Sequence, residues 1–227
     1  AGGLVGTAAR NASIIESKAY GNVTATFIAS TNTPSYDDKS AHAGGLIGTN
    51  QTGTVSNSSA HGDVSANAVN GKAYAGGLIG KSGNTSVGLG VAVSDVGKVS
   101  NSSATGNVIA ASSNTTDSSN VSAVAGGLIG KNEVARVFDS TASGKVEGIS
   151  SVGGLIGENY RGVIQRSNTL PISTVVGVNA VGGLVGNNFS TLSSTNGQIS
   201  NSQSQATVIG SGNQVGGLVG VNQDGVL

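Results

Sequence analysis

The residues able to do chemistry are few and scattered. Of the two histidines, His42 and His61, each falls at a different point of the sequence pattern, and the chain has no cysteine. Few carboxylates lie near either imidazole, so a metal site is disfavoured and both histidines are expected to be solvated surface residues. Asp37–Asp38 lie in the segment TNTPSYDDKS. Adjacent acids in a proline-containing loop can touch calcium, but ordinarily they are simply hydrated, and the nonapeptide calcium signature of RTX solenoids is absent. Serine is so frequent, 33 of 227 residues, that a serine beside a histidine carries no weight as a catalytic pair. Glycine-rich strings recur without a Lys-Ser/Thr opening a helix after them, so none reads as a phosphate loop. The expectation is a chain with no catalytic residue, no cofactor and no metal.

Composition narrows the classes that remain. With 38 Gly, 33 Ser, 22 Asn and 18 Thr, small and polar residues make up nearly half the chain, while aromatics are 3 % and charged residues 10 %. Leu, Ile, Val and Phe are still frequent enough to argue against disorder. A formal charge of zero offers no footprint for nucleic acid. No apolar run approaches the ~18 residues of a membrane-spanning helix, and the lack of cysteine excludes a disulfide scaffold. A thick globular core is excluded too; a thin, repetitive, β-rich polymer survives. The chain has no Met, opens at Ala1, and begins and stops inside a repeat, which points to a segment of a longer exported protein.

The elements that must position these residues are repeats. Gly-Gly-Leu-[Ile/Val]-Gly starts at Gly2, Gly44, Gly76, Gly126, Gly153, Gly182 and Gly216, with spacings of 42, 32, 50, 27, 29 and 34 residues. Each copy but the last is followed by a second element, [Ile/Val]-x-x-Ser-x-small-x-small-x, mostly closed by Val. Its copies are Ile14–Val23, Val55–Val64, Val99–Val108, Val137–Val146, Ile164–Ser173 and Ile199–Val208, each read as nine steps long. In the fifth, Pro171 stands at the usual Gly position. A constant length between two variable joints marks a stacked strand flanked by loops.

Period two within the second element places Ser102, Ala104, Gly106 and Val108 on one face of an extended segment. Stacking would set Ser17, Ser58, Ser102, Ser140, Ser167 and Ser202 one above another. Two residues past each pentapeptide come Ala8, Asn50, Ser82, Asn132, Asn159, Asn188 and Asn222, which suggests an asparagine ladder at a turn. No helical stripe persists. The fold expected is an all-β parallel β-solenoid of about six coils, two or three strands per coil, forming one domain over residues 1–227. At ~4.8 Å per coil, six coils span roughly 29 Å. The insertions Thr31–Ser40, Ser82–Val96 and Ser112–Asn120 are expected to leave the rod as loops.

Many β-helices cleave polysaccharides, which takes carboxylates clustered across adjacent coils. Position two of the second element holds Glu16, Asn57, Asn101, Asp139, Arg166 and Asn201, its two acids three coils or roughly 14 Å apart. Position eight, with Asn22, Asp63, Asn107, Lys145, Ile172 and Thr207, holds one acid. Catalysis is therefore disfavoured. Nine Asn-x-Ser/Thr sequons occur, and Asn84, Asn114 and Asn120, in the insertions, are the ones expected to be accessible to glycosylation.

The GGLIG and GGLVG strings resemble the GLUG motif of large bacterial and archaeal surface proteins, among them haemagglutinin-like adhesins and the non-catalytic regions of some surface immunoglobulin-A peptidases. The resemblance implies an exported, cell-surface β-solenoid, and no His-Glu-x-x-His protease string accompanies it. The leading functional expectation is a non-catalytic rod or stalk segment of an extracellular adhesin or fibre. Alternatives are a glycan- or protein-binding module using the lateral insertions, or the carrier region of a surface enzyme. Partners expected are the rest of the parent chain or identical copies, and glycans or cell-surface proteins, with no nucleic acid and no membrane span. The pentapeptides themselves pose a problem. Strict alternation puts Leu4, Leu46, Leu78, Leu128, Leu155, Leu184 and Leu218 on one side of the wall and the following Ile or Val on the other. Either a bulge or corner at the double glycine turns the second stripe inward, or it lies under an insertion, or it stays exposed as a lateral interface.

Overall fold

A computed structural model describes residues 1–29, 39–83, 97–114, 122–190 and 197–227, which form five parallel sheets around one axis. One coil shows the plan. From Ile47 the chain passes through Ile47–Asn50, Thr54–Ser56, Ser59–Ala60, Val64–Val69 and Lys72–Gly76, one strand per sheet, before Ile79 begins the next coil. The first sheet holds seven strands and each of the others six, so six full coils carry one strand more. The parallel β-solenoid is as expected, but each coil has five short strands rather than two or three.

The extra strands come from corners inside the second element. Its position two, held by Glu16, Asn57, Asn101, Asp139, Arg166 and Asn201, adopts φ of 48 to 51° in every copy. A single left-handed residue breaks the strand, and Asn and Asp, the occupants of four copies, accept that conformation most readily. Period two nevertheless survives the corner: Ser102, Ala104, Gly106 and Val108 are buried while Asn101, Thr105 and Asn107 are exposed. The fifth element corrects the constant length. Val175, not Ser173, pairs with Val146 and Val208, so this copy runs eleven steps. Pro171 explains the difference, since it starts a turn closed by Ser173 N–H to Leu170 O and pushes Ile172 out to 77 % exposure.

The pentapeptide corner settles where its aliphatics go. Leu46 N–H and Ile47 N–H both donate to Leu78 O of the next coil, and Leu46, Leu128, Leu155, Leu184 and Leu218 are shared acceptors in the same way. The residues on either side stay paired one to one, Gly44 with Gly76 and Ile47 with Ile79, so the doubled donors mark a corner between the fifth and first sheets, and this corner turns both side chains inward. Leu46, Ile47, Leu78, Ile79, Leu128, Ile129, Leu155, Ile156, Leu184 and Val185 are all fully buried. A lateral interface made from the second stripe is therefore ruled out. Glycine is obligatory at this corner: a Cβ on Gly126 would lie 1.9 Å from Ile129 O, and one on Gly127 2.0 Å from Gly154 O. Only the first and last coils differ, with Leu4 54 % exposed and Leu218 half-buried.

Two apolar columns result. One stacks the pentapeptide Leu and Ile on Val55, Val99, Val137 and Ile164 and on Ala60, Ala104 and Ala142. The other is built of smaller residues, Ala43, Ala66, Ala75, Val108, Ala125 and Val152 among them, between the fourth and fifth sheets. Its narrowness is why small residues dominate there. The insertions lie outside the described residues except at their margins, where Ser40, Ser82 and Ser112–Ser113 belong to strands rather than loops.

Candidate functional site

Two side-chain ladders line the solenoid, one of serines along its whole length and one of asparagines along part of it. In the first, the expected serines do stack. The N–H groups of Ser17, Ser58, Ser102, Ser140 and Ser167 each donate to the Oγ of the serine one coil on, at 3.1 to 3.3 Å. Each of the six hydroxyls, Ser202 included, donates in turn to the carbonyl two residues earlier, at 2.7 to 3.0 Å. That second bond closes the left-handed corner. A side chain that accepts along the axis and donates within its coil needs a hydroxyl, which is why serine recurs.

The asparagine ladder lies at the corner after the first sheet. Asn132 Nδ2 donates to Asn159 Oδ1, Asn159 to Asn188 and Asn188 to Asn222, each at 2.8 Å. Each amide nitrogen also donates to a carbonyl of its own turn, as in Asn50 to Gly53 and Asn132 to Ala135, both 3.0 Å. Asn50, Asn132, Asn159 and Asn188 are fully buried, so the sequons at Asn50 and Asn188 are sequestered. Asn114 is half-buried at the end of a strand, while Asn84 and Asn120 lie outside the described residues, as do Asp37–Asp38.

The histidines depart from the expectation in part. His61 is exposed, stacked on Tyr20 at 4.9 Å, between Ser59 Oγ at 3.0 Å and Thr105 Oγ1 at 3.1 Å. His42 is half-buried rather than solvated, with Ser40 Oγ and Thr49 Oγ1 both at 2.8 Å and the Tyr74 ring centroid at 5.4 Å. Both serine–histidine pairs arise from a Ser-x-His spacing on one strand face. In each, the second imidazole nitrogen meets a threonine hydroxyl, where a catalytic triad would place a carboxylate.

Acids do meet across adjacent coils, though not in the second element where they were sought. Lys131 Nζ lies 3.1 Å from Glu133 Oε1 and 3.7 Å from Glu158 Oε2, Lys81 Nζ lies 3.5 Å from Glu133 Oε2, and Lys131 caps the buried Tyr74 ring at 5.3 Å. Burial, the largest influence on Glu158, raises its pKa against the pull of Lys131 and Lys72. Burial works the other way on Lys131, but Tyr74, Glu158 and Glu133 outweigh it and the ammonium pKa rises. On the open surface, Arg166 pairs bidentately with Asp139 one coil below at 2.7 and 2.9 Å, a bond that lowers the Asp139 pKa. Among the described residues, no three or more His, Cys, Asp or Glu gather as metal ligands, and no helix is long and apolar enough to cross a membrane. A shallow apolar groove runs beside the fourth sheet, lined by Ile109, Ile149, Val176, Val178 and Ile209.

The family model described as the GLUG motif matches residues 40–65, the stretch from the fifth-sheet strand at Ser40 through GGLIG to the second element. The resemblance to GLUG-motif repeat proteins thus holds for that repeat. No curated protein matches the chain. Among solved structures, the chain is similar to a candidate immunoglobulin A1 protease from Bacteroides ovatus, at 18 % identity and a TM-score of 0.58. The alignment covers 90 % of this chain and 53 % of that one, so the chain spans about half the length of the structure it matches.

Proposed function

We propose that the chain is a non-catalytic rod or stalk segment of an extracellular, cell-surface adhesin or fibre. The observation that carries this reading is the serine ladder, unbroken through six coils whose insertions differ in length. Such an arrangement conserves axial spacing and leaves outward positions free to vary, which suits a spacer. The GLUG motif supports the surface setting. Surface labelling tests it: antibody raised against the chain should decorate intact cells expressing the parent protein. Signal appearing only after lysis would overturn the location. Removing the 27- and 29-residue coils that begin at Gly126 and Gly153 should shorten the parent's reach without unfolding it.

The similarity to a candidate immunoglobulin A1 protease favours a second reading, the carrier region of a surface enzyme whose active domain lies elsewhere. Incubation of the parent protein and of this segment with immunoglobulin A1 separates the two. Cleavage by the parent alone supports the carrier reading, and cleavage by neither supports the plain stalk.

A further inference from the structure

The fourth sheet has a step midway along the solenoid. Val108–Ser113 pairs along its whole length with Val64–Val69 of the coil before, but with the coil after only at Val108 and Ile109, opposite Val146 and Glu147. That later coil turns sooner toward the fifth sheet, where Ser150 N–H already donates to Ala123 O. On the strand that overhangs it, Asn107 O accepts from Val64 N–H and Ser113 O from Asn70 N–H, so the odd-numbered residues face the earlier coil. Backbone groups alternate sides along a parallel strand. Ala110 C=O and both backbone groups of Ser112 therefore face the later coils, where no strand of the described residues stands opposite them.

The space beside this free edge is apolar. It is the groove of about 430 Å³, lined by Ala110 and Ala111 of the overhanging strand and by the exposed Ile149, Val178 and Ile209 of the shorter coils. Glu147, the one charged residue in its lining, is already paired with Lys145 at 2.7 Å. A free edge is ordinarily blunted by Lys or Pro, and VIAASS, the sequence of Val108–Ser113, holds neither.

We propose that this step docks an extended peptide segment of a partner protein, uncharged and aliphatic at alternate positions, which adds to Ala110–Ser113 as a further strand. A carbonyl, an N–H and a second carbonyl in a row match the partial charges of a peptide backbone. Strand addition draws affinity from such main-chain bonds and specificity from alternate side chains, which here enter the groove between Ile149 and Val178. A second copy of this chain is the wrong size, since a stable dimer takes about 20–30 residues a side and the groove offers twelve.

Nuclear magnetic resonance titration of the isotope-labelled 227-residue chain with the capped hexapeptide acetyl-Thr-Val-Thr-Val-Thr-Val-amide tests the proposal. The expected result is saturable binding, with the Ser112 amide shifted downfield and the other changes confined to Ala110–Ser113 and the groove. Ser112→Pro removes the N–H at a free edge, where a strand tolerates proline, and Ile149→Asp places a charge in the groove. Each variant should keep the native circular dichroism and weaken binding roughly fivefold or more. The same peptide N-methylated throughout should not bind. No change at Ala110–Ser113, binding of the methylated peptide as tight as that of the parent, or undiminished binding by both variants would overturn the proposal. So would concentration-dependent shifts at this edge in the chain alone, which would make the occupant a second copy.

Discussion

Replacing Ser140 by alanine removes a single oxygen from the middle of the solenoid and isolates the serine ladder from every other contribution. Ser140 is fully buried; its hydroxyl donates to Phe138 O at 2.7 Å, and Ser102 N–H donates to it at 3.3 Å. Alanine keeps the Cβ, so packing changes little, and Phe138 O keeps the N–H of Asn101 as a donor, but the buried Ser102 N–H loses its partner. One orphaned group costs about 1–3 kcal/mol, which makes the substitution worth roughly 2 kcal/mol. For a chain of this length that is a fall in Tm of roughly 4–8 °C. The comparison is Ser202→Ala, where the serine is half-buried in the last coil and water can replace its hydroxyl; the expected loss is about 1 kcal/mol or less. Urea unfolding followed by far-ultraviolet circular dichroism gives both values. Amide hydrogen exchange adds a local readout, since Ser102 N–H should lose protection in Ser140→Ala. Equal costs for the two variants, or unchanged exchange at Ser102, would refute the idea that the ladder braces the stack.

Three further outcomes are expected. Leu128→Ala, at a fully buried pentapeptide position, should cost about 2–5 kcal/mol in denaturant unfolding, whereas Leu4→Ala, at a position 54 % exposed, should cost under about 1 kcal/mol. Gly126→Ala should fail to give soluble folded protein, because its Cβ would lie 1.9 Å from Ile129 O, while Gly6→Ala, with open space around it, should fold normally; size-exclusion profiles distinguish them. The raised Glu158 pKa makes the ionised carboxylate the costly form in the folded state, so its stabilising share is complete below the ordinary value of 4.5 and is lost as pH climbs through the higher folded value. Native Tm minus Glu158→Gln Tm should accordingly decrease from pH 4 to pH 7, and a difference that grew over that range would contradict the burial argument.

The stack itself could be read from the sequence because its ladder positions repeat with small or fixed side chains: Ser58, Ser102, Ser140 and Ser167 sit where a constant frame put them. Both aliphatics of GGLIG raised a question that composition alone left open, and the doubled N–H bonds to one leucine carbonyl answered it. The left-handed corner has its signal in Asn57, Asn101, Asp139 and Asn201, residue types that accept positive φ, whereas the sequence reading weighs this position only for its two acids, Glu16 and Asp139, and finds them too far apart. Pro171 was noticed, yet its consequence, two extra residues before Val175, follows only from the pairing with Val146. The charged seam had no local signal. Tyr74, Lys131 and Glu158 come from three different coils and meet only because the first and fifth sheets join at the double-glycine corner.

Disulfide trapping tests the parallel, in-register stack most directly, and the absence of native cysteine leaves no background. Ser103 and Thr141 are direct partners in adjacent coils of the third sheet, and Asn168 lies one coil further. Adjacent parallel strands bring Cα atoms to about 4.8 Å, within disulfide reach, while two coils separate them by roughly 9.6 Å, beyond it. The account predicts that Ser103→Cys combined with Thr141→Cys forms an intramolecular disulfide under mild oxidation, and that Ser103→Cys combined with Asn168→Cys does not. Crosslinking of the second pair in preference to the first would contradict the stacking on which the whole reading depends.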